Sequence, residues 1–352
     1  MAPVPLRRRQ HRLRTRTVRP PRRRGLLDVG RRTRAERRRR NDVQRLRAGG
    51  TEVVHASRPA TAAVRSATDL VSYGVNSPPA VAGDRAFVTT FVEVFCLATD
   101  RDEVLWRGPE TKGIQGAPTV TDDTLFVNGG GYTETPPRLT AFDFDGTERW
   151  SYESGVRSRA TPAVGDGAVF VTSDAGVHAV ELETGEERFV SDAVSHGWGS
   201  VAVADGTAYV VDYRSSDERR YRLYALDTAD GSVRWAAETG PARGPPVVAD
   251  GTVYAVGPNE TMLALDAEDG SARELPNRRA VPVACTGDVL YVTNGGTLYA
   301  YDATTGEGLW SYATPEVQVS DTVNQTIHGV TPVDGAVYVD AADGLHGVGP
   351  AE

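Results

Sequence analysis

The stretch Ala300-Tyr301-Asp302-Ala303-Thr304-Thr305-Gly306-Glu307-Gly308-Leu309-Trp310 decides the fold of this 352-residue chain, because related stretches recur along it. Each begins with a small residue, usually has an acid two positions later, and ends in an aromatic residue. The other complete copies begin at Cys96, Ala141, Ala179 and Ala225 and end at Trp106, Trp150, Phe189 and Trp235. A further copy begins at Ala264, but Glu274-Leu275 stands where the aromatic residue is expected. We interpret each copy as the third and fourth strands of a repeated unit.

The first half of each unit is a hairpin. A Pro-x-Val segment precedes a β-branched or aromatic run, as in Pro162-Ala163-Val164 followed by Val169-Phe170-Val171. Asp-Gly pairs lie between the two runs at 166–167, 205–206, 250–251 and 334–335, and this dipeptide favours tight hairpin turns. Equivalent positions are Gly83, Asp122, Asp166, Asp205, Asp250, Thr286 and Asp334, which are 39, 44, 39, 45, 36 and 48 residues apart. Four strands at this period predict an all-β, seven-bladed β-propeller of four-stranded antiparallel blades, with eight blades as the alternative.

The last unit ends after its third strand, Leu345-His346-Gly347-Val348. Its fourth strand must therefore come from elsewhere if the ring is closed. Leu70-Val71-Ser72-Tyr73 resembles the fourth strand Leu309-Trp310-Ser311-Tyr312. We therefore predict that the propeller is closed by an N-terminal outer strand, supplied by residues 69–74, because closure removes a long unpaired edge.

Charge divides the chain into two parts. The chain has 39 basic and 47 acidic side chains. Residues 1–50 hold 19 of the basic and 3 of the acidic ones, so residues 51–352 hold 20 basic and 44 acidic side chains. We predict a disordered Arg-rich arm over residues 1–68 and a propeller domain over residues 69–352. Two interpretations of this arm stay open. It contacts an anionic surface or nucleic acid through its arginines, or its sequence results from translation of GC-rich DNA from a wrong start or in a wrong frame. The acidic domain predicts a halophilic surface that stays soluble at high salt, with a very GC-rich source as the alternative explanation of its composition.

The repeated string Ala-x-Asp-x-x-Thr-Gly-x-x-x-Trp resembles the tryptophan-docking motif of the PQQ-like (pyrroloquinoline quinone) repeat propellers. The resemblance covers residues 69–352 and implies that each tryptophan lies between neighbouring blades. That family includes quinoprotein dehydrogenases, scaffold proteins of outer-membrane assembly and exported proteins of other kinds. Its enzymes are usually longer, hold calcium beside the quinone, and often stack the quinone on a disulfide between adjacent cysteines. Here Cys96 and Cys285 are far apart, and we interpret both as small core residues.

Other polar residues of the repeat have structural explanations. The third-strand acids Asp143, Glu181, Asp227, Asp266 and Asp302 occur once per blade, so they cannot converge on a metal. We expect them to accept hydrogen bonds from turn N–H groups. His178 and His346 share a repeat position with aromatic residues and are interpreted as strand residues.

One set of residues suggests a ligand site. Arg159, Trp198, Arg243 and Arg279 each stand three residues before a first-strand anchor, and most of the residues that directly follow such positions are small. First strands line the central channel of a propeller, so these four side chains are predicted to ring its mouth. Three arginines and one tryptophan could bind a flat anionic molecule such as PQQ. The alternative is a solvated polar rim.

We therefore expect a non-enzymatic binding or scaffold propeller, with a PQQ-dependent oxidoreductase as the alternative. The expected partner is a protein or a small anionic ligand, not nucleic acid, and the expected state is a monomer. No metal and no resident cofactor are predicted, apart from PQQ in the alternative. The sequence predicts no transmembrane segment and no export signal. The family resemblance nevertheless implies a place outside the cytoplasm or at the cell surface.

Overall fold

Each sequence repeat folds into one four-stranded antiparallel sheet, and seven such sheets form the blades of a ring. The predicted seven-bladed β-propeller is therefore confirmed. The computed structural model describes residues 16–17, 42–48, 51–57, 64–70, 77–101, 103–109, 113–131, 136–155, 158, 160–194, 199–212, 221–241, 245–258, 261–278, 281–319, 322–324, 326–333, 336–341 and 344–348. Among these residues, no helix has the length and apolarity that crossing a bilayer requires.

Blades 1 to 3 each contain four consecutive strands that pair in chain order. Blade 1 consists of β5 (Ala80–Ala82), β6 (Arg85–Thr89), β7 (Val94–Ala98) and β8 (Val104–Arg107). Blade 2 consists of β9 (Thr119–Val120), β10 (Thr124–Gly129), β11 (Arg138–Asp143) and β12 (Glu148–Glu153). Blade 3 consists of β13 (Ala163–Gly165), β14 (Ala168–Ser173), β15 (Gly176–Glu181) and β16 (Glu187–Ser191).

Blades 4 to 6 repeat the same order. Blade 4 consists of β17 (Ala202–Ala204), β18 (Thr207–Asp212), β19 (Tyr221–Asp227) and β20 (Val233–Thr239). Blade 5 consists of β21 (Val247–Ala249), β22 (Thr252–Val256), β23 (Thr261–Asp266) and β24 (Ala272–Arg278). Blade 6 consists of β25 (Val281–Thr286), β26 (Val289–Asn294), β27 (Thr297–Asp302) and β28 (Gly308–Ala313).

Blade 7 combines both ends of the chain. Its strands are β31 (Ile327–Val333), β32 (Ala336–Ala341), β33 (Gly344–Val348) and, at the outer edge, β1 (Arg16–Thr17). Arg16 pairs with Gly347 and Thr17 with His346. An N-terminal outer strand therefore closes the ring, as predicted.

The identity of this closing strand differs from the prediction, which placed it at residues 69–74. Asp69 and Leu70 lie in β4 and pair instead with Val53 and Glu52; residues 71–74 lie outside the described residues. The side chains of an outer strand do little to determine which segment of the chain forms it. Its pairing is made through the backbone, and most of its side chains face solvent, as in β12. Leu70 has a nearby hairpin partner, which explains why it pairs locally.

Two smaller sheets lie outside the blades. A three-stranded sheet contains β2 (Asp42–Ala48), β3 (Thr51–Ser57) and β4 (Val64–Leu70), and a hairpin contains β29 (Val317–Val319) and β30 (Thr322–Asn324). The division of the chain into an arm over residues 1–68 and a domain over residues 69–352 stays a prediction.

Three of the four predicted Asp-Gly hairpin turns are present in the blades, and the fourth, at 334–335, lies outside the described residues. Asp166, Asp205 and Asp250 have φ angles of 49°, 47° and 47°, and the glycine after each also has a positive φ. Two successive residues at positive φ match the right-handed twist of the flanking strands, which is why Asp-Gly is favoured here.

The core of the protein lies between neighbouring blades. Second strands such as β14 are buried along their whole length, and the first strands of several neighbouring blades contact each other near the centre of the ring. One core cluster joins Phe170 and Val177 of blade 3 to Val210 and Leu226 of blade 4. The blade junctions therefore contain the packing that holds the ring together.

Candidate functional site

In five of the seven blades, an aromatic residue of the fourth strand lies opposite a small residue of the third strand. The pairs in register are Cys96 with Trp106, Ala141 with Trp150, Ala179 with Phe189, Ala225 with Trp235 and Ala300 with Trp310. A register shift directly follows the small residue in each pair. Such a bulge redirects the neighbouring side chains, so it orients the aromatic ring toward the next blade.

The indoles donate hydrogen bonds into the next blade. Nε1 of Trp106 lies 2.9 Å from the carbonyl oxygen of Phe144. The same bond joins Trp150 to Leu182 at 3.0 Å and Trp235 to Ala267 at 3.0 Å. Each acceptor directly follows the third-strand acid of its blade. Because Trp150 and Trp235 are each 9% exposed, the ring is buried and its N–H is satisfied, which confirms the predicted tryptophan docking.

A turn glycine of the next blade receives each ring. A Cβ added to Gly185 would lie 2.6 Å from Trp150, and one added to Gly270 would lie 2.6 Å from Trp235. Both glycines have a φ of +73°. The position therefore needs glycine for its backbone and for close approach. This role of the turn glycine was not predicted, although the repeated Gly of the motif is a signal for it.

Three of the five third-strand acids, Asp227, Asp266 and Asp302, accept bonds from turn N–H groups, as predicted. Glu181 differs from the prediction, because its carboxylate bonds to Arg188. Oδ1 of Asp302 accepts a bond of 2.7 Å from the Thr305 N–H, and this backbone bond lowers the pKa of Asp302. Asp227 also has a second partner, since its Oδ2 lies 2.8 Å from Nη2 of Arg234. Arg234 is the main cause of the lowered pKa of Asp227. These carboxylates therefore serve turns and ion pairs within their own blades.

One of the arginines also connects two blades. The Arg188 guanidinium donates two bonds, of 2.7 and 2.9 Å, to the carboxylate of Glu181. It donates a third bond of 3.1 Å to the carbonyl oxygen of Thr228 in blade 4. This role was not predicted from the sequence, although Arg precedes the aromatic residue in three successive copies.

The two strand histidines take part in junctions as well. Nδ1 of His178 lies 2.9 Å from the Tyr152 hydroxyl of blade 2, and Nε2 lies 2.7 Å from Oγ of Ser173. His346 repeats the contact, since its Nδ1 lies 2.8 Å from the Tyr312 hydroxyl. Burial lowers the pKa of His178, which favours the neutral imidazole. Both histidines are strand residues, as predicted, but the tyrosine partners were not foreseen.

The cysteines differ from each other. Cys96 is fully buried, and burial raises the pKa of its thiol to about 12. Cys285 is only partly buried, and it packs against the core cluster that contains Tyr254 and Leu290. A bulge between Pro282 and Ala284 shifts the strand by one residue, which places Cys285 where other blades have Val203 or Val248. Two free cysteines in blades 1 and 6 cannot form the disulfide of adjacent cysteines on which quinoprotein enzymes stack their quinone.

The junction between blades 5 and 6 departs from the others. Arg273, not Glu274 or Leu275, lies opposite the small residue Ala264. The register shift of this strand pair falls between Thr261 and Met262, at the other end of β23. The residue at the aromatic position is therefore Arg273, whereas the sequence pattern placed Glu274-Leu275 there. Nη2 of Arg273 lies 3.5 Å from the carbonyl oxygen of Ala303, the acceptor that an indole would use here.

A cavity of about 140 Å³ opens at this junction. Its principal lining side chains, which define the blade 5–6 cavity, are Asp250, Tyr254, Arg273, Cys285, Asp288 and Thr304. Burial, followed by the carboxylates of Asp250 and Asp288, raises the pKa of the Cys285 thiol. The cavity therefore combines a phenol, a guanidinium, a thiol and two carboxylates.

The predicted channel-mouth ring lies outside the described residues, because Arg159, Trp198, Arg243 and Arg279 are not among them. Their role in binding an anionic molecule or PQQ stays a prediction. The neighbouring loops are described in part. A Cβ on Gly116 would lie 2.4 Å from the Ala160 carbonyl oxygen, and the Thr161 N–H donates a 3.1 Å bond to Oγ of Ser200. These segments of successive blades are thus in contact.

Within the part of the chain that the structure describes, no three His, Cys, Asp or Glu side chains form a group that could hold a metal ion. The third-strand acids lie in separate blades, one in each of blades 2 to 6.

Comparison with known proteins places these features in a family. Among curated relatives, the serine/threonine-protein kinase AfsK of Streptomyces griseus is 28% identical over 59% of this chain and 23% of its own length. The outer membrane protein assembly factor BamB of Yersinia pestis is 26% identical over 50% of this chain and 47% of its own length. The chain thus spans about half or less of these two relatives.

Solved structures share the fold at low sequence identity. BamB from Moraxella catarrhalis superposes with a TM-score of 0.66 and 15% identity, covering 88% of this chain and 94% of that one. Quinohemoprotein alcohol dehydrogenase from Comamonas testosteroni superposes with a TM-score of 0.60 and 16% identity, covering 88% of this chain and 71% of that one. The sequence model described as outer membrane protein assembly factor BamB matches residues 40–193, 188–273 and 274–349. This chain therefore belongs to the BamB family of PQQ-like repeat β-propellers.

Proposed function

We propose that the protein is a non-enzymatic scaffold that binds other proteins outside the cytoplasm. The observation that carries this proposal is the family match, which extends from residue 40 to residue 349 and includes every blade strand except β1. Relatives in that family are named for a role in outer membrane protein assembly. Their partners are not assigned to this chain; the proposal concerns the type of function.

The roles of the polar side chains support the same function. Asp227, Glu181 and His178 are the types of residue that catalytic sites use, yet here each bonds to a turn, an arginine or a tyrosine. They hold the blades in place and so maintain a rigid ring. A rigid ring with seven outward sheet edges offers broad surfaces to other proteins, which is the structural requirement of a scaffold.

Site-specific photo-crosslinking tests protein binding. A photoreactive phenylalanine analogue is introduced into the full chain at Val233 or Leu309, each 46% exposed on an outer strand. We expect discrete crosslinked species in the cells that produce the protein. The matched control places the analogue at Leu226, which is fully buried. Crosslinks that are absent at both exposed positions, or equal at the buried one, would argue against a scaffold.

A dye-linked dehydrogenase assay tests the non-enzymatic part of the proposal. The purified chain is incubated with PQQ, calcium and a panel of alcohols and aldose sugars, and dye reduction is followed. We expect no turnover above a heat-denatured control. Substrate-dependent dye reduction would contradict the proposal in favour of the oxidoreductase.

Protease accessibility tests the location. We expect an epitope-tagged chain to be digested when protease is added to cells whose outer barrier has been opened while the cytoplasmic membrane is intact. Protection equal to that of a cytoplasmic marker would contradict a location outside the cytoplasm.

A further inference from the structure

We propose that the blade 5–6 cavity binds an aromatic side chain of a partner protein, next to a basic residue of that partner. The inference rests on the proposed scaffold function for its biological meaning, and it names the chemistry that the partner presents. The aromatic ring that five other junctions take from their own chain would here come from another molecule.

The cavity results from two departures from the repeat. Arg273 occupies the register position at which five other blades have an aromatic residue. Cys285 occupies the first-strand position that is valine in blades 1 to 5. A guanidinium on a flexible stem and a thiol fill less of a junction than an indole and a valine do. The cavity therefore lies where a ring lies in the neighbouring junction.

The cavity has the size for one aromatic ring. Its volume is about 140 Å³, and an engineered apolar cavity of about 150 Å³ binds benzene. Tyr254 forms one wall and is 4% exposed, while Arg273 is exposed and can move aside. An incoming ring would thus gain an apolar contact without disrupting the core.

A hydrogen-bond acceptor is already in position. The Ala303 carbonyl oxygen is the equivalent of the Ala267 oxygen to which Trp235 donates. It accepts a 3.1 Å bond from the Tyr254 hydroxyl, and its second contact is the 3.5 Å bond from Arg273. Because a carbonyl oxygen accepts two bonds, an indole N–H can replace the long bond from Arg273. The released guanidinium can then lie over the face of the bound ring.

Charge favours a basic neighbour for that ring. Asp250 and Asp288 are exposed at the cavity, and residues 51–352 together carry 44 acidic and 20 basic side chains. A lysine or arginine beside the aromatic residue of the partner would pair with these carboxylates and be attracted by the acidic domain. An aromatic residue between acidic neighbours would be repelled.

Chemical labelling of Cys285 in the purified full chain tests the site. Cys285 is partly exposed and Cys96 is fully buried, so N-ethylmaleimide should modify Cys285 first, as mass spectrometry can verify. We expect acetyl-Lys-Trp-Lys-amide to slow this modification in a saturable manner. The peptides acetyl-Lys-Ala-Lys-amide and acetyl-Glu-Trp-Glu-amide should give little protection. Absence of protection by the Lys-Trp-Lys peptide, or equal protection by the alanine peptide, would overturn the proposal.

Variants of the cavity add a second criterion. Arg273→Trp should supply the ring from the chain itself, raise the melting temperature and weaken peptide binding about tenfold. The double variant Asp250→Asn/Asp288→Asn should also weaken binding, and Asn tolerates the positive φ of residue 250. The matched control is Asp205→Asn, at the same turn position beside the Trp235 junction, and it should leave binding unchanged. Unchanged peptide affinity in the Asn double variant would overturn the charge argument.

Cys285→Val keeps the test decisive if Arg273→Trp does not fold. Valine is the residue at this first-strand position in blades 1 to 5, so this variant should fold and narrow the cavity. We expect weaker binding of the Lys-Trp-Lys peptide by calorimetry, and unchanged affinity would overturn the proposal. Partner crosslinking from Val233 or Leu309 does not involve the cavity. A failure of the cavity and a failure of the scaffold function are therefore separate outcomes.

Discussion

At the scale of single residues, each tryptophan junction depends on an indole, a glycine and a carbonyl group from two neighbouring blades. Trp235 is 9% exposed, lies against Gly270 and donates to the Ala267 carbonyl oxygen. The indole contributes apolar burial and one satisfied hydrogen bond at the same time. The glycine permits the contact, because any side chain would occupy the place of the ring.

Trp235→Ala should destabilise the protein strongly. Removal of the indole leaves a cavity at the junction of blades 4 and 5, and buried Trp-to-Ala changes typically cost about 3–5 kcal/mol. Urea denaturation followed by circular dichroism measures the loss. Leu309→Ala is the control, since Leu309 is 46% exposed and should change stability by about 0.5 kcal/mol or less. Equal effects of the two changes would show that the tryptophan is not a structural anchor.

Gly185→Ala should cost more than Gly251→Ala, although both glycines have a similar positive φ, +73° and +70°. At Gly251 nothing lies within 4 Å of an added Cβ, so only the backbone cost of roughly 1 kcal/mol remains. At Gly185 the Cβ also meets Trp150 at 2.6 Å, which should add about 1–3 kcal/mol. The difference between the two denaturation midpoints isolates the contact with the ring. No difference would contradict the assigned packing.

At the scale of elements, β12 and β15 are joined by a chain of polar contacts across two blades. The Tyr152 hydroxyl bonds to both His178 and Glu187, and Ser173 bonds to the other nitrogen of His178. The arrangement needs a neutral imidazole, because burial penalises the charged form. Burial and the nearby Glu187 also raise the pKa of Tyr152, so the phenol stays protonated.

Acid should therefore weaken the junction of blades 2 and 3. The pKa of His178 in the folded protein lies below its ordinary value of 6.5, so the unfolded chain binds the proton more readily. The contribution of His178 to the free energy of unfolding is complete above pH 6.5 and is lost as the pH falls through the folded pKa. Urea denaturation between roughly pH 8 and pH 5 measures it. His178→Gln should have a smaller decline over that range, and an identical decline would contradict the assignment.

At the scale of the whole molecule, the ring is closed by a strand from near the start of the chain. Thr17 pairs with His346, and His346 in turn bonds to Tyr312 of blade 6. The closing strand β1 thus covers the edge of β33, and β33 is hydrogen-bonded to blade 6 through His346. Without it, β33 would present unpaired N–H and C=O groups, which is a known cause of edge-to-edge association.

Deletion of residues 1–41 should therefore lower the melting temperature and increase self-association. The deletion removes β1 but keeps β2, β3 and β4, so the effect reports on closure. Differential scanning calorimetry and light scattering measure the two changes. The matched control deletes residues 1–10, which leaves β1 in place. Identical melting and scattering for both truncated chains would show that β1 does not close the ring.

The sequence by itself determined the seven repeats, the four-strand order, the Asp-Gly turns and the tryptophan docking. These features follow from local patterns with a fixed period, because each blade repeats one set of short-range constraints. The one-residue shift at Cys285 and the placement of Arg273 were not predictable from the sequence. A bulge changes which residues pair, but it leaves no recognisable pattern in the aligned repeats.

Only the tertiary structure decided which segment closes the ring, which side chains bond across blades, and where a cavity remains. The Tyr152–His178 contact and the pairing of Thr17 with His346 join residues that no local pattern relates. The blade 5–6 cavity depends on the combined size of Arg273 and Cys285, which meet only when two blades pack together. The physical reason is that these features arise from packing between repeats, whereas the sequence pattern describes the interior of one repeat.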